Sequence, residues 1–475
     1  KIFVPYLVQF DLVPDFEVAS GAKVYAEGAE QTSGSSSVCF LKPVTYKVVA
    51  QNGDVRSYKV CIYNSGIPVI YINTPNGTAI NSKENWVTNT DIDIYLKDGY
   101  LDYTSGGSKA NIKGRGNSTW DATTEKRPYA VKLNEKAKLL GMLAHKRWVL
   151  MANYYDATFF RNELANYLAK KCTNQQWSPS GYNVELVLNG VHKGNYYFCE
   201  QVRVSDVRCE GDYLVEADRK ANAGQIKGVR SGNYFNVKDP EVGNNSQDLQ
   251  KVKSILDNFE NTLYGSNFLD ADRGYKKLVD LESFVDWYLI KEISKDYDGN
   301  MFTSCYCHIM ADGTIKMGPI WDFDLAFGGN PFEKLMGGFG GTNYAWYNKP
   351  DGYHIADADW FVQMWKDPEF VALLRKKVDA MLADIDDIMD YIDENTRLLT
   401  LSASANKVGF SKSSGGMGGF GGFGGFGGFG GFGGWGGGGG NTTPETTKTY
   451  AEEMQVIKTF LRERLLWMQQ DLKNK

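Results

Sequence analysis

The hydrophobic pattern of this sequence changes its period part-way along the chain. Up to about residue 205, segments such as DIDIYLKDG alternate apolar and polar residues, which is typical of β-strands with one buried face. After about residue 240, apolar residues recur every three or four positions, which is typical of amphipathic α-helices. The length of 475 residues corresponds to roughly two to four domains. We therefore expect an α+β protein with a β-rich lobe followed by a helical lobe.

The first 66 residues predict a small all-β module. Two strand-like runs flank the sequence Gln51-Asn52-Gly53-Asp54, and Asn-Gly is a strong hairpin signal. No residue pattern in this segment indicates catalysis. We expect an antiparallel β-sandwich of Ig-like size that acts as a spacer.

The remaining residues, 67–475, predict the two lobes, which meet near residues 205–206. In the first lobe, strands within 67–150 and 183–204 should form one sheet. A helix near 156–170, with Asp156 as its N-cap, should pack against that sheet. The second lobe should contain three main helices, near residues 281–295, 367–394 and 446–473. Asp280 is the expected N-cap of the first, and Asp367-Pro368 should open the second.

Residues 413–443 form a low-complexity segment of Gly-Gly-Phe units. Glycine at this density loses too much backbone entropy on ordering to belong to a core. We favour a flexible insertion between two helices of one domain. The alternative is an aromatic tether for the surface of a partner.

Composition excludes several classes of function. The net charge of −5 gives no reason to expect a nucleic-acid partner. No apolar run approaches the roughly 18 residues that a membrane span needs. The odd number of cysteines, seven, does not imply a disulfide framework in a chain of this length. The chain starts at Lys1 without Met, so we expect that a signal segment has been removed and that the protein is secreted or surface-attached.

The meeting of the two lobes is where a cleft is expected, and the polar segments there fit phosphoryl transfer. That reaction needs cationic and backbone groups on the phosphates, a metal held by carboxylate and amide groups, and a residue that orients the nucleophile. In KGRGNSTW, Arg115 offers charge between two glycines that allow close backbone approach, and Asn117 and Ser118 after them offer donors. An ordinary polar turn is the alternative, since a lone Gly-x-Gly is weak evidence.

A lysine within a predicted strand is the second candidate. Lys132 could pair with Glu163 on the following helix and align nucleotide phosphates, although a strand lysine is usually a solvated edge residue. Arg161 and Asn162 are rival partners on the same side of that helix. Glu200, in the apolar strand YYFCEQVRV, could either join a structural ion pair or line a nucleotide cleft.

Two acidic segments could hold a metal. KDYDGN contains Asp296, Asp298 and Asn300, but a calcium EF-hand would need Glu where Cys307 stands, so that alternative fails. WDFD places Asp322 and Asp324 among aromatic residues, where carboxylates are costly unless they bind a cation or strong donors. None of the four histidines neighbours a nucleophile motif, so a hydrolase triad is not expected.

Several of these segments together resemble the CotH kinase family, the family of spore coat protein H. The resemblance covers about residues 68–335 and extends to the helical remainder. It is carried by five segments: RGNST, KRPYAVKLNEKAKLLGM, KRWVLMANYYDATFFRNELANYLA, GNYYFCEQVRV and MGPIWDFDLAFG. The family often has Asn where this chain has Asp296, and the Gly/Phe segment and the N-terminal module lie outside the family pattern.

The resemblance implies an atypical, secreted or surface protein kinase with a reduced kinase-like fold that uses ATP and Mg²⁺ or Mn²⁺. It also implies roles for individual residues. The catalytic group would be Asp298, Lys132 and Glu163; the nucleotide group Arg115, Asn117, Ser118, Lys132 and Glu200; and the metal group Asp322, Asn300 and Asp324. Which Asp of each acidic pair has which role stays open.

We therefore expect an enzyme that transfers the γ-phosphoryl group of ATP to Ser or Thr of a protein substrate. The alternative is a non-catalytic surface adhesin or assembly protein on the same scaffold. The Gly/Phe segment and the aromatic content favour the adhesin, whereas the set of Lys132, Asp298, Asn300 and Asp322 favours the enzyme.

Overall fold

A computed structural model describes most of the chain. The described residues are 2–3, 11–40, 43–60, 62–63, 65–122, 126–172, 177–218, 225–243, 246–297, 299–328, 344–409 and 448–475. The Gly/Phe segment 413–443 and Asp298 lie outside the described residues, so the predictions about them stay predictions.

The N-terminal module contains short strands in three small sheets. Its strands are β1 (Ile2–Phe3), β2 (Asp11–Leu12), β3 (Lys23–Ala26), β4 (Ala29–Gln31), β5 (Val38–Cys39), β6 (Val44–Val49), β7 (Val55–Val60) and β8 (Ile62–Tyr63). The predicted Asn52-Gly53 hairpin is confirmed, since β6 and β7 pair antiparallel within the sheet β4-β3-β6-β7. An Ig-like arrangement and the domain boundary at residue 66 stay predictions.

The β-rich lobe is a closed barrel. Its strands are β9 (Val69–Asn73), β10 (Val87–Tyr95), β11 (Leu101–Thr104), β12 (Ala110–Gly114), β13 (Tyr129–Ala137), β14 (His145–Met151), β15 (Gly181–Leu188) and β16 (Val191–Glu200). In the described part of the chain they form one sheet in the order β11-β10-β12-β13-β14-β16-β15-β9. Strand β9 also pairs with β10, which closes a ring of seven strands and leaves β11 on its rim. The single sheet was predicted correctly, but its closure was not.

Large apolar side chains fill the interior of the barrel. Trp148 stacks on Phe198 with 5.5 Å between ring centroids, and Tyr129 stacks on Tyr196. Side chains alternate between the two faces of a strand, so the residues next to these inward-facing aromatic residues in the sequence point outward. Val149 and Cys199 therefore lie on the outer face, where they pack against Trp321 and Tyr306 of the second lobe.

The second lobe combines a sheet with helices. The sheet was not predicted as such; its order is β18-β19-β17-β20-β21, all antiparallel. Its strands are β17 (Tyr213–Ala217), β18 (Gln225–Lys227), β19 (Tyr234–Asp239), β20 (Cys305–Ile309) and β21 (Ile315–Met317). The α-helices of the described residues, in both lobes, are α1 (Ser118–Ala122), α2 (Arg161–Lys171), α3 (Gln247–Leu263), α4 (Leu281–Ser294), α5 (Asp359–Met364), α6 (Pro368–Ala383), α7 (Ile385–Gly409) and α8 (Tyr450–Leu472).

Local capping signals predicted helix starts well. The side chain of Asp280 accepts a hydrogen bond from Ser283 N, and that of Asp367 accepts one from Glu369 N, as expected for N-caps. The helix predicted over 367–394 is instead two helices, α6 and α7, separated at Asp384. Continuous 3–4 spacing across Asp384 hides this break in the sequence.

The predicted position of α2 needs a correction. The helix begins at Arg161 and not next to Asp156, although the Asp156 carboxylate still accepts bonds from the backbone N–H of Phe160 and Arg161, each at 3.0 Å. Its apolar residues, including Phe160 and Leu164, join the core of the second lobe and not the barrel interior. Helix α2 therefore lies between the two lobes.

Two further sequence expectations concern cysteines and membranes. The cysteines of the described residues, including Cys305 and Cys307, have free thiols, and these two are buried in β20. In the described ranges, no helix is long and apolar enough to cross a bilayer.

Candidate active site

The RGNST loop follows the last residue of β12 and leads into α1. Gly114 lies against the Trp120 ring so closely that an added Cβ would come within 2.1 Å of it. Gly116 has φ +81°, a left-handed conformation that favours glycine. Lys83 donates to the carbonyl of Gly116 at 3.2 Å, and Arg115 N donates to the carbonyl of Pro128 at 3.2 Å. Gly114 is thus required for packing and Gly116 for its backbone conformation. The loop is held by hydrogen bonds from Lys83 and to Pro128.

The cationic side chains around this loop share one face of the barrel. The register pairs Lys132 with Arg147 and with Asn111, so the alternation of side chains places Lys113, Lys132 and Arg147 on the outer face with Val149. The indole of Trp86 lies between two of them, with the Lys113 ammonium at 5.0 Å and the Arg147 guanidinium at 5.3 Å from its ring.

In the described part of the chain, the carboxylates nearest to these cations lie beyond ion-pair distance. Within the described ranges, Lys113, Arg115, Lys132 and Arg147 form no ion pair, and each is partly exposed. Burial, as the larger cause, and the neighbouring Arg203 lower the pKa of Arg147, whereas Glu241 and Asp239 partly offset the decrease. A half-buried cationic face whose side chains form no ion pair with the described residues is suited to bind a polyanion.

Arg115 connects the RGNST loop to the second lobe. Its guanidinium lies 5.4 Å from the ring of Trp321, the first residue of the WDFD turn. Trp321 is buried against Val149 and Cys199 on the outer face of the barrel. The RGNST loop and the WDFD turn, the candidate phosphate-binding and metal-binding segments, therefore contact each other.

The WDFD turn presents two partly exposed carboxylates. Asp322 has φ +67°, an uncommon conformation for a residue other than glycine. Ser304 donates its hydroxyl to Asp322 Oδ2 at 3.1 Å. Asp324, two residues further on, is also partly exposed. The turn thus offers two partly exposed carboxylates next to Trp321, the residue that Arg115 contacts.

The KDYDGN loop follows α4 directly. Lys295 ends the helix in the left-handed conformation, and Asp296 is buried and paired with Lys291 of the same helix at 2.5 Å. Asn300 is partly exposed in the turn that leads to β20. Asp298, the predicted catalytic residue, lies outside the described residues, between Tyr297 and Gly299.

Helix α2 contacts the WDFD turn and the residues that follow it. Arg161 donates to the carbonyls of Ala326 and Gly328 at 2.7 and 2.9 Å, and its guanidinium also pairs with Asp156. Phe323 N donates to Asn162 Oδ1 at 2.9 Å. The two residues that were possible partners of Lys132 therefore contact the acidic turn instead.

A protein-family model described as CotH kinase protein matches residues 112–468, a range that includes the RGNST, KDYDGN and WDFD segments. The chain belongs to the CotH kinase protein family. A search of curated proteins found no match. Membership confirms the resemblance drawn from the sequence, and it implies a kinase-like fold and the use of ATP.

In this CotH kinase protein, Glu163 does not pair with Lys132. Its carboxylate accepts hydrogen bonds from Asn183 at 2.7 Å and from Tyr391 at 2.9 Å, and among the described residues it forms no ion pair with the lysine. Burial raises the pKa of Glu163 to about 7, although both donors act against the increase. The predicted strand-lysine and helix-glutamate pair is therefore wrong for this conformation, because α2 turns Glu163 toward β15 and α7.

The geometry of Glu200 favours the structural alternative. Its Oε2 accepts from Ser180 N at 2.9 Å, and its Oε1 lies 3.9 Å from Nε of the buried Arg208. Burial raises the pKa of Glu200. A contribution to nucleotide binding stays a prediction, as do the roles of Asn117, which is exposed, and Ser118, which begins α1.

The acidic turn fits a cation that binds together with a nucleotide. No three His, Cys, Asp or Glu side chains of the described part cluster closely enough to hold a metal on their own. Mg²⁺ is usually held by one or two carboxylates plus substrate phosphates, so a three-residue cluster is not required. Asp322 and Asp324 supply two partly exposed carboxylates, and the buried Asp296 pairs with Lys291.

Sequence reasoning missed several residues of the site. Lys113 and Arg147 lie in segments that were singled out, but only the strand register shows that they share a face, and no motif marks Trp86. Lys291 had a signal that was not used: it directly follows the apolar run WYLI in a helix whose last twelve residues are all buried. A buried lysine needs a counter-charge, which predicts a nearby carboxylate.

Proposed function

We propose that this CotH kinase protein transfers the γ-phosphoryl group of ATP to a Ser or Thr hydroxyl of a protein. The observation that carries the proposal is the contact between Arg115 and Trp321. It brings a cationic face whose side chains form no ion pair with the described residues next to a turn that carries two partly exposed carboxylates. A triphosphate with a divalent cation has the charge pattern that matches both surfaces.

Each group has a distinct task in this proposal. Arg115 and Lys132 bind phosphate oxygens, with Lys113 and Arg147 as further cations on the same face. Asp322 and Asp324 would hold Mg²⁺ or Mn²⁺, which neutralises charge on the phosphates when it is bound. In the transfer, the acceptor oxygen bonds to the γ-phosphorus, the bond to the β,γ-bridging oxygen breaks, and Asp298 accepts the hydroxyl proton.

The finer parts of this proposal rest on sequence alone. These are the preference for Ser or Thr, the secreted or surface location, and the division into a spacer of residues 1–66 and a kinase-like domain of residues 67–475. ATP use has the firmer support, because it follows from the family. No nucleic-acid partner is proposed.

The test is Asp322→Asn, with Asp312→Asn as the matched control. Asn tolerates the left-handed backbone of Asp322 and can still accept from Ser304, so the fold should survive. Phosphoryl transfer should fall by roughly a thousandfold or more, because charge neutralisation carries much of this catalysis. Asp312 is an exposed turn residue that accepts from Thr314 N, so its variant should transfer at the wild-type rate.

Three measurements decide the outcome: transfer of labelled phosphate from ATP, calorimetric titration with Mg–ATP, and thermal denaturation. Asp298→Asn should abolish transfer and leave Mg–ATP binding largely intact, which separates the metal role from the role in orienting the hydroxyl. A wild-type protein that neither binds Mg–ATP nor labels itself or a Ser-rich peptide would overturn the proposal. The non-catalytic adhesin would then replace it.

A further inference from the structure

A buried lysine touches both acidic segments of the site. Lys291, in the last turn of α4, is fully buried. Its ammonium donates to Asp296 Oδ2 at 2.5 Å and to the carbonyl of Trp321 at 2.8 Å, and it lies 4.1 Å from the centroid of the Phe323 ring. One charged group thus joins the KDYDGN loop to the WDFD turn.

Fold stability alone does not explain such a group. Burying an ammonium costs several kcal/mol, and a buried ion pair replaced by well-packed apolar residues often leaves stability unchanged or improves it. The carboxylate of Asp296, the Trp321 carbonyl and the Phe323 ring compensate the charge. The free-energy cost of burying the Lys291 ammonium nonetheless falls at the place where the KDYDGN loop and the WDFD turn meet.

The contacts of Lys291 act on the residue next to Trp321. Asp322 has a left-handed backbone, and such conformations persist only where surrounding contacts determine them. The carbonyl of Trp321 is fixed by Lys291 on one side of Asp322, and Ser304 holds the Asp322 carboxylate from the loop that leads to β20. Phe323 N is fixed by Asn162 on the other side.

We propose that Lys291 is a positioning residue, which through Asp296 and the Trp321 carbonyl holds the KDYDGN loop and the WDFD turn in one arrangement and so orients the Asp322 carboxylate. Its effect on catalysis rests on the proposed function, whereas its effect on the turn does not. Lys291 itself need not touch the nucleotide or the acceptor.

The helical lobe offers a matched control. Lys377 of α6 pairs with the buried Asp286 of α4 at 2.6 Å, so it is a second lysine that pairs with a buried carboxylate, and its own side chain is 13% exposed. Neither Lys377 nor Asp286 belongs to the proposed site. Lys291→Met and Lys377→Met therefore remove comparable cations, one at the acidic turn and one away from it.

The first experiment is hydrogen–deuterium exchange of the nucleotide-free protein. Peptides that cover residues 318–328 should exchange at least about tenfold faster in Lys291→Met than in the wild type, and at the wild-type rate in Lys377→Met. Should Lys291→Met fail to fold, Asp296→Asn keeps the side-chain volume and should show the same selective increase. Unchanged exchange, or an equal increase in both lysine variants, would overturn the inference.

The second experiment measures the affinity for Mn–ATP by calorimetry. It should fall about tenfold or more in Lys291→Met and stay within about twofold in Lys377→Met, even where both variants lose similar melting temperature. An affinity loss that simply follows the melting temperature in both variants would contradict a positioning role. A wild-type protein that does not bind Mn–ATP would contradict the proposed function instead, and the exchange experiment would still test Lys291.

Discussion

At the scale of single residues, the presence or absence of an ion-pair partner distinguishes structural cations from those that are candidates for ligand binding. The buried cations Arg161, Lys291 and Arg464 each pair with a buried carboxylate. By contrast, the half-buried cations on the barrel face, such as Lys132 and Arg115, have no carboxylate partner in the described part of the chain. A partly exposed charge without an ion-pair partner lowers the stability of the free protein only slightly, because water solvates it. The grouping of such charges on one face therefore points to a ligand.

Glu163 provides a prediction about pH. The pKa of this partly buried carboxyl is raised to about 7 in the folded protein, whereas the ordinary value is 4.5. A carboxyl whose pKa is higher when folded costs no stability below pH 4.5, and it lowers stability progressively as the pH rises toward 7. We expect Glu163→Gln to lack this loss, so its melting temperature relative to the wild type should increase by several degrees between pH 4.5 and pH 8.

The control for this prediction is Glu135→Gln, which removes the same charge from an exposed position on β13. Its melting temperature relative to the wild type should stay nearly constant across the same pH range. If the difference for Glu163→Gln is equally constant, the folded carboxyl does not titrate near pH 7 and the prediction is wrong.

At the scale of elements, α1 shows how tertiary contacts replace intrinsic helix stability. A helix of five residues, Ser118–Ala122, is far too short to be stable by itself. Trp120 anchors it: its ring packs on Gly114, and the Arg127 guanidinium covers the ring at 4.2 Å. The segment KGRGNST therefore requires one glycine, Gly114, for packing and another, Gly116, for backbone conformation.

This packing predicts the effect of a single methyl group. Gly114→Ala would place Cβ 2.1 Å from the Trp120 ring, so α1 must move or the ring must rotate. We expect the free energy of unfolding to fall by about 1–3 kcal/mol and nucleotide affinity to fall with it, because the displaced loop carries Arg115. Denaturant unfolding and Mg–ATP titration would measure both quantities.

Gly107→Ala is the matched control for this substitution. No atom lies within 4 Å of a Cβ built on Gly107, and its φ is not positive. Its free energy of unfolding should change by less than about 0.5 kcal/mol. Equal effects of the two substitutions would show that the contact with Trp120 is not what constrains the motif.

Elements with local signals were predictable from the sequence, and those that depend on distant pairing were not. The Asn52-Gly53 hairpin and the caps Asp280 and Asp367 were correct because the deciding contacts lie within a few residues. Closure of the barrel requires β9 to meet β15, and no local pattern encodes that pairing. The partners of Glu163 were missed for the same reason, since Tyr391 is distant in the chain.

The candidate site follows the same division. Motifs identified Arg115 and Asp322, and the structure brings their segments together through Trp321. The supporting residues Lys291 and Ser304 lie outside the motifs, so only the folded chain shows what they hold. The roles of the individual side chains stay predictions until the variants are measured.

At the scale of the whole molecule, the last two helices return to the same part of the barrel lobe. On α7, Asn406 Oδ1 accepts from Lys126 Nζ at 2.5 Å, and on α8, Tyr450 donates to the carbonyl of Thr158 at 3.1 Å. The Lys126 ammonium in turn lies 5.1 Å from the ring of Phe159. The two anchor points are therefore neighbours, although the Gly/Phe segment separates them in the chain.

Neighbouring anchor points predict that this connection can be shortened. Deleting residues 415–440 should change the melting temperature by no more than a few degrees, because loop-closure cost changes by only about 0.6 kcal/mol per doubling of length. Replacing the same residues by a Gly-Ser segment of equal length separates the effect of length from that of sequence. A loss of many degrees in both proteins would show that the phenylalanines pack into a core.

The closure of the barrel sets an order on the synthesis of the chain. Strand β9 is the first strand of the ring to leave the ribosome. One of its two neighbours, β15, is the second-last strand of the ring to be synthesised. Val69 of β9 can pair with Glu185 of β15 only after Glu185 has been synthesised, so this edge of β9 is unpaired until then. A nascent chain that is paused or cut before Leu188 therefore exposes an open β-edge, the kind of surface that recruits strands from other molecules.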